Sequence, residues 1–202
     1  MEHDQLSDAD VLCTAYSATR APLPNALSLI GFDKRLVKFP DAVHQIKSHI
    51  HEERRRKSYD SVAHVGHSLG GHIALHVASA LMRENEALTQ RIALINPPNK
   101  AIFRAKLWNT LTLGTNQHTK MLSNNEALRE NIVNLVADLR SGENGAAIPV
   151  SIIQGTADAV VEFDDELYAD NVVALNAGHN WFKKVRNPSE LKFRMLLNSL
   201  RD

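Results

Sequence analysis

At 202 residues with 44% hydrophobic side chains, the chain is long enough to bury one substantial core and suits a single domain, 1–202. Its 23 Lys and Arg balance its 23 Asp and Glu, so no net field argues for nucleic acid or an anionic membrane as partner. No uninterrupted apolar run approaches the roughly 20 residues that a membrane-spanning helix needs, and the one cysteine, Cys13, excludes an internal disulfide.

The first residues, Met1-Glu2-His3-Asp4-Gln5, are polar and acidic, without the basic and then apolar pattern of a secretory leader. Together with the lone cysteine this points to a reducing, cytoplasmic setting. Asp10-Val11-Leu12-Cys13-Thr14-Ala15-Tyr16 reads as a buried strand followed by a loop. A shorter strand, Arg35-Leu36-Val37-Lys38-Phe39, is closed by Pro40. From Asp41 a helix is expected, with Val43, Ile46 and Ile50 as its apolar stripe. The cations at Arg54, Arg55, Arg56 and Lys57 suit its C-terminus, and Glu52 lies one turn before Arg56.

Ser61 to Leu75 is the most informative stretch. A short β-rich run ends in Gly66-His67-Ser68-Leu69-Gly70 and opens into a helix whose Ile73, Ala74, Val77, Ala78 and Leu81 share one face. Gly-x-Ser-x-Gly between a strand and a helix is the context of a nucleophile elbow, where a serine is held on a sharp turn with its hydroxyl exposed. Glycines at 66 and 70 let strand and helix pass closely.

Three more apolar runs follow: Arg91–Asn96 before Pro97-Pro98, Pro149–Gln154 before Gly155-Thr156-Ala157-Asp158, and Asn171–Asn176 before Ala177-Gly178-His179. Near-continuous apolar strands alternating with helical segments indicate a parallel sheet covered on both faces. The last helix is marked by Asn187 as N-cap, Pro188 at its first position and Glu190 at the third, with Leu196, Leu197 and Leu200 as anchors. Between 99 and 147 a longer insertion carries Phe103, Leu107, Trp108 and Leu111 on one short amphipathic helix, then Leu128, Ile132, Leu135, Val136 and Leu139 on a longer one.

Gly-His-Ser-Leu-Gly-Gly at 66–71 resembles the α/β-hydrolase family. The resemblance implies an α/β-hydrolase fold with helices on both faces of a mostly parallel sheet. Because only residues 1–60 precede the elbow run, a trimmed sheet of about six strands is expected. It further implies that 99–147 is a helical lid over the active site; two surface helices on the sheet edge are the other reading.

A serine hydroxyl needs a base to remove its proton and a third group to orient that base. The family's order of serine, acid and histidine is matched here by Ser68, Asp158 and His179, each just after a predicted strand. Asp164 and Asp165 are rivals for the acid, but Gly155-Thr156-Ala157-Asp158 resembles the family's Gly-x-x-Asp. The amide of Leu69 is the first expected oxyanion donor. The family's second donor loop, often His-Gly, falls here on Ala15-Tyr16-Ser17-Ala18, which has neither residue. The backbone of Tyr16 or Ser17 is the candidate.

His67, Trp108 and Trp181 are candidate pocket residues. His72 and His76 stand one helical turn apart, as a metal pair would, but no third ligand has an evident place beside them, so no metal is expected. The expected activity is hydrolysis of a small-molecule carboxylic ester or thioester through an acyl-enzyme, without a cofactor. Acyl transfer on the same triad and a catalytically silent hydrolase-fold binding protein are the alternatives.

Overall fold

The computed structural model describes residues 9–13, 39–84, 88–98, 125–142, 146–161, 169–183 and 190–200. In chain order these form α1 (Phe39–Arg56), β1 (Val62–His67), α2 (Leu69–Arg83), β2 (Thr89–Ile95), α3 (Asn125–Ser141), β3 (Val150–Gly155), β4 (Asn171–Leu175), a short 3-10 turn (Trp181–Lys183) and α4 (Leu191–Ser199). The four described strands make one sheet in the order β1-β2-β3-β4, and each neighbouring pair is parallel. All their C-terminal ends therefore lie along one rim, where residues remote in sequence can converge.

Side-chain alternation distributes the core to both faces. Ile92 and Leu94 of β2 and Val150 and Ile152 of β3 pack with Leu75, Ala78 and Met82 of α2 and with Ile132, Leu135, Val136 and Leu139 of α3. Ile95 and Ile153, of opposite parity, pack with Phe182, Met195 and Leu196. A third cluster joins Ile73, Val77 and Leu81 of α2 to Ala42 and Ile50 of α1. Helix α2 is thus apolar toward α1 and toward the sheet, which explains why most of its length is buried.

Several boundaries differ from the sequence expectation. Phe39 and Pro40 open α1 instead of ending a strand. Proline suits the first helical turn as well as a strand terminus, because its missing N–H is not needed there. Phe39 packs on the α1–α2 cluster and sets its ring edge-on to His76. Asp10–Cys13, expected to begin a buried strand, is irregular, and Val11 is 79% exposed. Its described anchor is the Asp10 carboxylate, which accepts hydrogen bonds from Lys57 and Tyr59. The rest of that expected strand, and 35–38 of the next, lie outside the described residues.

Helix α4 begins at Leu191, with Glu190 as its N-cap where the third helical position was expected. The Glu190 carboxylate pairs with Lys192 at 2.8 Å and makes no capping bond. Asn187 and Pro188 lie outside the described residues. The longer helix expected within 99–147 is α3, and its apolar stripe is buried against α2 and the sheet. It is a crossover helix between β2 and β3, and 99–124 lies outside the described residues.

Two buried histidines tie acid stability to the core. In β1, the Nε2 of His64 meets the Thr89 hydroxyl at 3.0 Å. His72 in α2 donates from Nε2 to the Pro98 carbonyl at 3.1 Å. Burial pushes both imidazoles down to about 4 from the ordinary 6.5. The unfolded chain therefore takes up protons at a pH where the folded chain does not, so stability is full above 6.5 and falls as pH drops toward 4. By about pH 5 the expected loss is on the order of 2 kcal/mol for each histidine. Urea unfolding followed at about pH 7.5 and about pH 5 checks this, and equal midpoints would contradict it.

Candidate active site

Ser68 lies between β1 and α2 with φ 54° and ψ −131°, a conformation that non-glycine residues rarely adopt. Such a backbone costs on the order of 1–3 kcal/mol and persists only where its surroundings over-determine it. Here the Ser68 amide donates to the Ile95 carbonyl of β2 at 2.8 Å, while the Ser68 carbonyl accepts from the Gly71 amide at 2.9 Å. Gly66 makes the turn possible. A Cβ there would sit 2.5 Å from both the Gly70 carbonyl oxygen and the Gly71 Cα. The Ser68 hydroxyl makes no capping bond to α2. Leu69 is the first residue of α2, so its amide is among the first-turn donors that have no partner within a helix.

Asp158 and His179 lie in the rim loops after β3 and β4. Asp158 follows β3, and its side chain is fully buried. One carboxylate oxygen accepts the amides of Val160 at 2.7 Å and Val161 at 3.0 Å, and the other accepts Nδ1–H of His179 at 2.7 Å. Three donors on one carboxylate fix its aim. Because a carboxylate only accepts, the Nδ1 of His179 is the donor in this contact, which leaves Nε2 as the ring nitrogen turned away from Asp158. The imidazole is 11% exposed, so an edge stays open to solvent.

A second set of contacts seats the backbone of His179. The His179 carbonyl accepts His67 Nε2–H at 2.8 Å and the Asn96 side-chain amide at 3.1 Å. The rings of His67 and His179 lie 4.8 Å apart between centroids. His67 directly precedes Ser68, so the loop carrying His179 is docked on the neighbour of Ser68. The loops after β3 and β4 are in close backbone contact: a Cβ at Gly155 would lie 2.1 Å from the Ala177 carbonyl oxygen. Among the described residues no hydrogen bond joins the Ser68 hydroxyl to the His179 ring. Catalytic hydrogen bonds are often long in unliganded enzymes and tighten once substrate is bound.

The other sequence candidates divide. Trp181 sits in the 3-10 turn two residues beyond His179, edge-on to Phe182 at 4.8 Å and under Lys192 at 5.6 Å. Tyr16, Ser17, Trp108, Asp164 and Asp165 lie outside the described residues. The Nε2 of His72 is engaged by Pro98 and that of His76 by Asn131 at 3.2 Å. The described residues contain no group of three His, Cys, Asp or Glu able to hold a metal, and no described helix is long and apolar enough to cross a membrane. Asn96 was not singled out in the sequence; an asparagine ending a strand ahead of Pro97-Pro98 was its only local signal.

Ser68 thus stands between a parallel strand and a helix, with Asp158 and His179 in the rim loops after the third and fourth strands of the same parallel sheet. No family model matches the sequence, and no curated protein matches it. Similar solved structures include an α/β-hydrolase enzyme from a sediment metagenome of the Mar Chica lagoon, Morocco, at 22% identity over 78% of this chain and 68% of that one, TM-score 0.45. Another is the monoacylglycerol lipase of Paleococcus ferrophilus, at 18% identity over 83% and 77%, TM-score 0.48. A third is the phospholipase PlaB of Legionella pneumophila, at 16% identity over 59% and 28%, TM-score 0.46, so the chain spans under a third of that protein's length.

Proposed function

We propose that this chain is a serine hydrolase that cleaves a small-molecule carboxylic ester or thioester. The observation that carries the reading is the part-buried Asp158–His179 pair, docked through His67 beside the strained Ser68. In the mechanism, Ser68 Oγ attacks the acyl carbonyl carbon while His179 Nε2 takes the hydroxyl proton. The negative charge that develops on the carbonyl oxygen meets the Leu69 amide at the positive end of α2. A second donor is proposed from the backbone of Tyr16 or Ser17. His179 returns the proton to the leaving alcohol or thiol, giving an acyl-Ser68. A water then attacks this ester, its proton passing to His179, and the carboxylic acid leaves as Ser68 is regenerated. Asp158 stabilises the imidazolium in both halves and keeps Nδ1 as the donor.

Trp108 and Trp181 suit an uncharged acyl or small aromatic group, with the 99–147 insertion as the proposed lid. A fluorophosphonate probe tests the proposal, because it reacts only with an activated serine. The wild type is expected to be labelled and Ser68→Ala to remain unlabelled, with p-nitrophenyl esters of several chain lengths reporting acyl preference. An unlabelled wild type would instead favour a silent hydrolase-fold binding protein, and product trapped on an added alcohol would favour acyl transfer.

A further inference from the structure

Asn96 occupies an unusual position for a residue outside the proposed triad. It is fully buried, has φ 45°, and directly precedes a proline. Its neighbour Ile95 holds the Ser68 amide, while its own amide donates to the Ile153 carbonyl of β3. Its side chain then reaches both remaining loops. Oδ1 accepts the Gly155 amide at 2.7 Å, at the root of the loop that carries Asp158. Nδ2 donates to the His179 carbonyl at 3.1 Å. One short side chain therefore spans the ends of β2, β3 and the loop after β4.

A left-handed backbone explains why asparagine suits the position: its short amide tolerates positive φ and still offers a donor and an acceptor. A buried amide at Gly155 would otherwise lack a partner, which the burial of a polar group penalises. We infer that Asn96 is a positioning residue that sets the acid and base loops in register over Ser68. This rests on the serine-hydrolase reading. Asp158 orients the His179 ring, whereas Asn96 places the backbone from which that ring projects. Misplacement by about 1 Å can cost on the order of a hundredfold in rate.

Asn96→Asp is the sharpest variant. It keeps the acceptor for Gly155 and the tolerance of positive φ, and it turns the donor facing the His179 carbonyl into an oxygen. Asn96→Gly accommodates the same φ and removes both side-chain bonds. Fluorophosphonate labelling rates and p-nitrophenyl ester kinetics are measured on wild type and both variants, with thermal unfolding giving the folded fraction. In folded Asn96→Asp the labelling rate and kcat are expected to fall by about 10- to 100-fold with KM unchanged.

A folded Asn96→Asp labelled at the wild-type rate would overturn the inference and leave the serine-hydrolase reading standing. A loss that only follows the unfolded fraction would overturn it as well, as would failure of both variants to fold, because each assigns Asn96 to the scaffold alone. A wild type that is never labelled would remove the hydrolase reading and this inference with it.

Discussion

Replacing Ser68 with alanine is expected to lower ester turnover by about a millionfold, and replacing His179 with alanine to cost about as much. The double variant should be no slower than either single one, because nucleophile and base act as a unit and half of the pair has little to contribute alone. Fold stability gives this experiment its control. Serine and alanine both carry a Cβ, so the strain at φ 54° is unchanged, and the Ser68 hydroxyl makes no capping bond that the variant would lose. Ser68→Ala should therefore unfold within roughly 0.5 kcal/mol of wild type. Steady-state rates on p-nitrophenyl esters, read beside thermal unfolding, test both halves. A Ser68→Ala protein with undiminished turnover would remove the proposed mechanism.

Asp158→Asn is expected to cost about ten-thousandfold in kcat, by a different route. The side chain keeps its shape, and one oxygen can still accept the amides of Val160 and Val161. The other atom becomes an NH2 group facing Nδ1 of His179, which now must accept. The imidazole then carries its hydrogen on Nε2, where it can no longer receive the Ser68 proton. The lesion is one of tautomer, so the fold should be preserved while the rate collapses. Circular dichroism and kcat on the same preparation check the two statements. A loss smaller than about tenfold would show that Asp158 does not set the tautomer, and would turn attention to Asp164 or Asp165.

The strands and the elbow were legible because their causes are local. Alternating and continuous apolar runs marked β2, β3 and β4 to within about two residues, as boundary readings usually allow. Gly66 was readable as a steric requirement, and the structure places the Gly70 and Gly71 backbone where its Cβ would be. That Asp158 and His179 share one rim was legible for a topological reason: both fall just after parallel strands, and their side chains meet there.

The misreadings have a shared cause. Pro40 punctuates both a strand end and a helix start, and what Phe39 packs against selects the second. Val11 and Leu12 are apolar, and apolarity alone does not supply the neighbour that would cover them.

By itself, then, the sequence determined the layered class and the sharp strand-to-helix turn at Ser68, since short-range sterics and periodicity are written in adjoining residues. Only the tertiary structure decided that Asn96 and His67 both hold the His179 carbonyl, across separations of 83 and 112 residues. It also decided that Asn96 bonds Gly155 across 59 residues. A hydrogen bond has a reach of about 3 Å, and which distant backbone groups come within it depends on how the sheet assembles around the loops.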